Sequence, residues 1–423
     1  MEHENRPNSL DRRRLLAGGL GCLGGLALAS RAGASVKLFV PLAQDPAASE
    51  PRTLVLLQLS GGNDALSMVV PWADDAYHSA RPSIRITQRE VQKLDDYRGL
   101  HPELKQLRAL WDEGRMGIVE GCGYPTPNRS HFKSMEIWHA ASLQGRLAGD
   151  GWIGRLCEAA FAKEESPELV VHVGAAAPYS VFSRTHPAVV FQTPHSYKWV
   201  ASEMEDKDLY RSAGEDRDAK DERPADAGGR RVLQHLRGVL TDANESSLRI
   251  RRAAAEYEPR LAYPEGDLGE VLKVAAALVS ARVGTRVISV ELGGFDTHNN
   301  QRPTHDAVMR KLDAGLGAFL RDIHDTAAGR EVLVVCFSEF GRRVKENGSK
   351  GTDHGVAAPM LVFGTRVRGG LYGKHPSLTE LVDGDLAMTT DFRSVYATVA
   401  ERWFRADPEK VLGAQYPRLD FIG

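Results

Sequence analysis

Three short apolar runs in this chain each end in glycines and metal-binding residue types. Thr53–Leu59 (TLVLLQL) leads into Ser60-Gly61-Gly62-Asn63-Asp64, and Arg286–Leu292 (RVISVEL) leads into Gly293-Gly294-Phe295-Asp296-Thr297-His298. Glu331–Phe337 (EVLVVCF) leads into Ser338-Glu339-Phe340-Gly341-Arg342. Continuous Val/Leu/Ile runs bounded by glycine are the pattern of strands buried on both faces of a parallel sheet. In such sheets ligands bind beyond the carboxyl ends of the strands. Carboxylates and an imidazole that follow three separate strands are therefore expected to meet at one edge of the sheet, although they lie far apart in the chain.

The remaining chain alternates in the same way. Leu100–Trp111 carries Leu100, Leu104, Leu107 and Trp111 at helical spacing, with Gly114 suited to end the helix. Arg115–Glu120 reads as a short strand, Gly121–Arg129 as a turn-rich loop, Ser130–Ala141 as a helix and Glu168–Val173 as a strand. Residues 230–262, Leu268–Val283 and His305–Asp325 read as helices, and Pro359–Gly364 as a strand. Asp391 is placed to cap a helix running to about Phe404. Strand–helix alternation of this kind predicts an α/β fold on a mostly parallel sheet. Residues 202–229 are highly charged and poor in large apolar side chains, which predicts a solvated insertion or loop at about 200–262.

The first 34 residues are expected to lie outside the fold. Asp11-Arg12-Arg13-Arg14-Leu15-Leu16 is a twin-arginine motif, a Gly/Leu/Ala run follows to Ala29, and Ala32-Gly33-Ala34 suits cleavage before Ser35. The run is shorter than the roughly 20 residues a membrane span needs, so it reads as a Tat signal peptide. The expected compartment is the bacterial periplasm or the exterior, with the Tat translocase as a partner during export and no stable membrane span after cleavage. Residues 35–52 read as a Pro/Ala/Ser linker. The segment 1–34 carries five arginines against three acids, so the formal charge of the remainder is −4 rather than −2. No basic excess points to nucleic acid. Residues 53–423 are long enough for two or three average domains or one large α/β domain with an insertion. Cys122, Cys157 and Cys336 show no motif spacing and make no disulfide framework.

Each candidate residue has a chemical reading and a plainer one. Asp296 and His298 are one residue apart, and on an extended chain such side chains share a face, where one metal ion takes both. The plainer reading is turn capping. Asp64 follows Gly-Gly-Asn, which is also good turn chemistry. His354 in Thr352-Asp353-His354-Gly355 suits a ligand or a catalytic imidazole, with Asp353 as a ligand or as its orienting partner. Asn63 stands beside Asp64 in the same supporting role. Glu339 is the carboxylate of the third strand end; it is either a ligand or the ion-pair partner of Arg342. Ser130, in Pro127-Asn128-Arg129-Ser130-His131, begins a helix. It is either an N-cap or a nucleophile whose alkoxide the helix N-terminus stabilises. Arg129, His131 and Arg342 are placed to contact substrate oxygens.

The segments LSGGND (59–64), PNRSHF (127–132), GGFDTH (293–298), FSEFGRR (337–343) and TDHG (352–355), with the twin-arginine leader, resemble a Tat-exported bacterial family of unknown function. That family is similar to the alkaline phosphatase/sulfatase superfamily, and the likeness covers about residues 53–420. It implies an α/β/α sandwich with one or two divalent metals at the strand ends, a hydroxyl or thiol nucleophile at a helix start, and cleavage of phosphate or sulfate esters. By this resemblance Asp64 stands in the place of the first-strand ligand, Ser130 in that of the nucleophile, Asp296 and His298 in that of the middle Asp/His pair, and His354 in that of the late histidine. The chain departs from the pattern at Ser338-Glu339, where superfamily members carry Asp-His, which puts a second metal site in doubt.

The leading expectation is an exported metal-dependent hydrolase of a small or polymeric phosphate or sulfate ester. Its nucleophile is Ser130, and its ligands come from Asp64, Asp296, His298, Glu339 and His354. Zinc suits imidazole with carboxylate; calcium, magnesium or manganese suits a carboxylate-rich site. The competing expectation is a non-catalytic exported binding protein that retains the fold and a residual metal site.

Overall fold

The computed structural model describes residues 51–197 and 227–423. The twin-arginine segment, nearly all of the linker and the first half of the charged insertion lie outside the described residues.

Strand β1 (Thr53–Leu59) is buried along its whole length. Its alternate side chains enter two different cores. Val55, Leu57 and Leu59 join the residues of one face. Leu54 and Leu56 join those of the other. This is why the run is continuously apolar rather than alternating: both faces of a central parallel strand are covered. Each such side chain contributes roughly 1.5–3 kcal/mol by leaving water.

Around β1 lie β2 (Met116–Gly123), β3 (Val170–Val173), β4 (Val189–Phe191), β5 (Val287–Leu292), β6 (Val332–Phe337), β7 (Ala358–Phe363), β8 (Gly370–Tyr372) and β9 (Thr390–Asp391). The order in the nine-stranded sheet is β8-β2-β7-β6-β1-β5-β3-β4, with β9 beside β2. Every pairing is parallel except those of β7, which runs antiparallel to both β6 and β2. Helices α1 (Lys105–Asp112), α4 (Ala227–Glu256), α5 (Asp267–Ala281) and α6 (Gln301–Ile323) cover one face. Helices α2 (His131–Ala140), α3 (Trp152–Phe161) and α7 (Phe392–Thr398) cover the other. The fold is α/β, with helices on both sides of a mostly parallel sheet.

The single reversed strand matters for the site. The carboxyl ends of β1, β2, β5 and β6 and the start of β7 all fall on one edge of the sheet. Leu59 lies opposite Leu292, Gln58 opposite Phe337, and Ala358 opposite Cys122. Loops 60–64, 124–131, 293–298 and 338–343 leave from that edge, and loop 352–357 enters there.

Three of the boundaries that differ from the sequence expectation have a local physical reason. The helix expected from Leu100 begins at Lys105, because Gly99–Leu100 pairs as a strand with Val69–Val70 and Gln92–Lys93. His101, which precedes Pro102, is disfavoured in helical conformation. Helix α6 begins at Gln301, four residues before His305. Pro303 falls in its first turn, where the missing N–H costs nothing. After α7 the chain continues as a π-helical turn, Val399–Trp403. Asp391 caps α7 by accepting from the Arg393 N–H. Cys122, Cys157 and Cys336 are free and buried. No helix among the described residues is long and apolar enough to cross a membrane.

Candidate metal centre

The loops after β1 and β5 touch backbone to backbone. A Cβ at Gly61, whose φ is +119°, would lie 2.6 Å from the Asp296 amide nitrogen, so only glycine permits this approach. It brings the Asp296 carboxylate, half exposed, to the centre of the edge.

Three imidazoles from three loops turn their Nε2 atoms toward this carboxylate. His298 Nε2 is 3.1 Å and His354 Nε2 3.2 Å from Asp296 Oδ1, and His131 Nε2 is 3.6 Å from Oδ2. Donor atoms of His131, Asp296 and His354 all lie within 4.8 Å of one another. Arg342 Nη2 donates to Asp296 Oδ1 at 2.6 Å. Partial burial acts to raise the Asp296 pKa, but the hydrogen bond and positive charge of Arg342 act against it, and the carboxyl is held at about 2. It is ionised throughout the physiological range.

The far nitrogen of each ring faces an oxygen acceptor. His131 Nδ1 is 2.8 Å from Glu339 Oε1, His354 Nδ1 is 2.8 Å from the Arg129 carbonyl, and His298 Nδ1 is 3.4 Å from Asp353 Oδ1. Only a protonated Nδ1 satisfies such acceptors, so the neutral tautomer leaves a lone pair on each Nε2. Two of these, on His298 and His354, are 3.0 Å apart. With both Nδ1 atoms protonated, no proton remains to share between them, and the lone pairs repel. The buried His131 Nε2 has no hydrogen-bond partner at all. A cation among these groups relieves both defects. Oriented imidazoles with occupied outer nitrogens are the supporting arrangement that metal-binding histidines require. The hydrogen bond to Glu339 raises the His131 pKa, whereas burial lowers that of His354.

Several expected site residues have other occupations. Asp64 is not among the groups that converge on Asp296. It is fully buried, and Arg81 grips both its oxygens at 2.5 and 2.9 Å. Ser67 and Gln301 also donate to Oδ2. Burial alone would raise its pKa, but Arg81 holds it well below the usual carboxylate range. Glu339 stands behind His131 instead: its oxygens take the Gly61 N–H at 2.9 Å, His131 and the Ser338 hydroxyl. Arg342 is fully enclosed and cannot reach substrate. Besides Asp296 it serves the carbonyls of Gly61, Gly62, Phe295 and Thr352. Arg129 turns its guanidinium onto Asp385 and offers the cluster its carbonyl instead. His131, expected to bind substrate, contributes Nε2 to the cluster. Asn63 faces Met68 and His305, away from the cluster.

Ser130 stands at the N-cap of α2 with its side chain exposed and making no capping hydrogen bond. Its backbone N–H is taken by Asn128 Oδ1 at 2.9 Å. The hydroxyl therefore does not serve as a helix cap, and it adjoins His131 in the cluster.

Two residues of this region carried no signal in the sequence. Arg81 sits in a short polar segment. Gln301 opens α6 and ties three loops together: its amide donates to Asp64, and its carbonyl accepts from Thr297 Oγ1 at 3.2 Å and Thr352 Oγ1 at 2.6 Å.

Among solved structures, the chain is similar to a protein of the alkaline phosphatase superfamily from Vibrio parahaemolyticus. The identity is 11% and the TM-score 0.34, over 78% of this chain and 66% of that one, just under two-thirds of its length. A putative sulfatase from Bacteroides thetaiotaomicron overlaps at 9% identity and TM-score 0.38, over 87% of this chain and 76% of that one. An alkaline phosphatase from the Antarctic bacterium TAB5 overlaps at 8% identity and TM-score 0.33, over 87% of this chain and all of that one. At these scores the overlap is loose, and the cluster stands on its own geometry. No curated protein matches the chain. The profile of the family described as "Protein of unknown function (DUF1501)" matches residues 116–414, well over half of the chain, and the protein belongs to that family.

Proposed function

We propose that the protein is a metal-dependent hydrolase of phosphate or sulfate esters. The observation that carries this reading is the convergence of three imidazole Nε2 atoms on Asp296, with an oxygen acceptor behind every ring. Asp296, His131, His298 and His354 would hold one divalent cation. Imidazoles with a carboxylate suit zinc best. When bound, the cation supplies positive charge for the ester's non-bridging oxygens.

The chain's own groups do the rest. Glu339, the Arg129 carbonyl and Asp353 fix the three rings. Arg342 fixes Asp296 and keeps it ionised. Ser130 Oγ, exposed beside His131, attacks phosphorus or sulfur and gives its proton to solvent; the bridging bond breaks, and the departing alkoxide takes a proton from solvent and leaves as the alcohol. Water then releases the anion from Ser130. The likeness of the chain's family to the phosphatase/sulfatase superfamily supports the choice of ester, and the twin-arginine segment supports export.

Metal analysis of the purified full chain, followed by a chromogenic phosphate and sulfate ester screen, tests the reading. About one zinc per chain is expected, with turnover that Ser130→Ala abolishes while the zinc remains. Turnover that survives Ser130→Ala would assign attack to water. Bound metal with no turnover on any ester would leave a binding protein.

A further inference from the structure

A cavity of about 770 Å³ opens on the cluster's side of the sheet. His172–Ala176, at the end of β3 and just beyond it, and Glu291 and Gly293, at the end of β5, line it; the N-terminal half of α5 forms a wall. Gly293 is three residues from Asp296, so at 3.3–3.6 Å per residue the two are within about 11 Å. Gly293 is also open ground. A Cβ added there would meet nothing within 4 Å, and its φ lies outside the left-handed region. It is the cavity-lining residue nearest in the chain to Asp296.

The cavity's chemistry is opposite to that of the cluster. Val271, Val274, Ala277 and Ala254 give it aliphatic walls. Among the described residues that line it, the carboxylates of Asp267, Glu270 and Glu291 stand against the one ammonium of Lys273, a net charge of −2 for those residues. Burial pushes the His172 pKa down to about 4, so this imidazole adds no positive charge at neutral pH. An anionic group entering here is repelled, and a group with an apolar body and a positive charge is matched on both counts.

We propose that this cavity receives the organic body of the ester and that this body is an amphiphilic cation of the aminoalcohol type. The ester end rests on the hydrolase reading; the cavity end does not. The molecule would lie with its anion at Asp296 and the histidines, its linkage over Gly293 and its cationic body between β3 and α5. Polyanionic polymers are disfavoured substrates.

The test uses the full-length, zinc-loaded protein and calorimetric titration with benzyltrimethylammonium and benzenesulfonate. The ammonium is expected to bind in the cavity, and the sulfonate only at the zinc. Gly293→Trp and Glu291→Lys should each weaken ammonium binding at least tenfold and leave sulfonate affinity undiminished, with zinc content and thermal midpoint unchanged. Absent ammonium binding, ammonium affinity that either variant leaves unchanged, or a loss of sulfonate affinity in Glu291→Lys overturns the proposal. Ammonium binding that both variants weaken, without turnover of any ester, upholds the cavity and removes the hydrolase reading. Turnover of choline phosphate with a KM that neither variant changes upholds the hydrolase and removes the cavity.

Discussion

Asp64 and Asp296 follow neighbouring strands at the same sheet edge, and both adjoin glycine pairs, yet they are differently employed. Asp64 is sealed against Arg81, with its oxygens filled by guanidinium, hydroxyl and amide donors. Asp296 keeps half its surface open and faces three imidazole lone pairs. Both carboxylates accept from an arginine, so the difference is exposure: a cation can approach Asp296 and cannot approach Asp64. Asp64 is sealed within the edge, and Asp296 stands open at its centre.

This contrast is most sharply broken at Asp64. Asp64→Ala strands a buried guanidinium and is expected to cost about 3–5 kcal/mol of stability, read by urea unfolding. Loss of cation affinity without loss of stability would refute the division of labour. At the other carboxylate, Asp296→Ala should lower zinc affinity by more than about 100-fold, exceeding the 10–100-fold typical of supporting residues. Its stability cost should be smaller than that of Asp64→Ala, since Arg342 retains four carbonyl partners. Glu339→Gln, which weakens the hold on His131 Nδ1, should fall within that 10–100-fold range. Competition with a chromogenic chelator measures both.

Acid gives a gentler probe. The folded pKa of Asp64 lies below its ordinary value of 3.8. A depressed carboxyl adds stability above the unfolded pKa and loses it as pH falls toward the folded one. Unfolding free energy should therefore hold from pH 5 to 8 and decline below about pH 4. Asp64→Asn should flatten that decline. Zinc affinity should fall at a higher pH, as protons compete for His131, whose pKa is raised above 6.5.

Much of the frame was legible in the sequence. β1, β5 and β6 read directly from their aliphatic runs, because strands buried on both faces have no polar alternation to blur them. Asp296, His298 and His354 stood out because acids and imidazoles after Gly-rich strand ends have no packing role. The same reasoning placed Asp64 and Glu339 among the ligands, since composition does not reveal what lies opposite a side chain. Arg81 is 17 residues from Asp64 and Arg342 is 46 from Asp296; neither pairing has a local pattern. His131 was assigned to substrate because its ring direction depends on Glu339, more than 200 residues away.

By itself the sequence determined the parallel α/β frame, the strand ends where polar groups collect, and the residue types available there, all of which follow from local patterning and side-chain chemistry. Tertiary structure alone decided which carboxylate is buried with its arginine and which stays half exposed beside its own. It also decided that the antiparallel β7 brings His354 to the common edge. Both outcomes depend on distances between remote segments, which burial, charge pairing and strand direction set only once the chain has closed on itself.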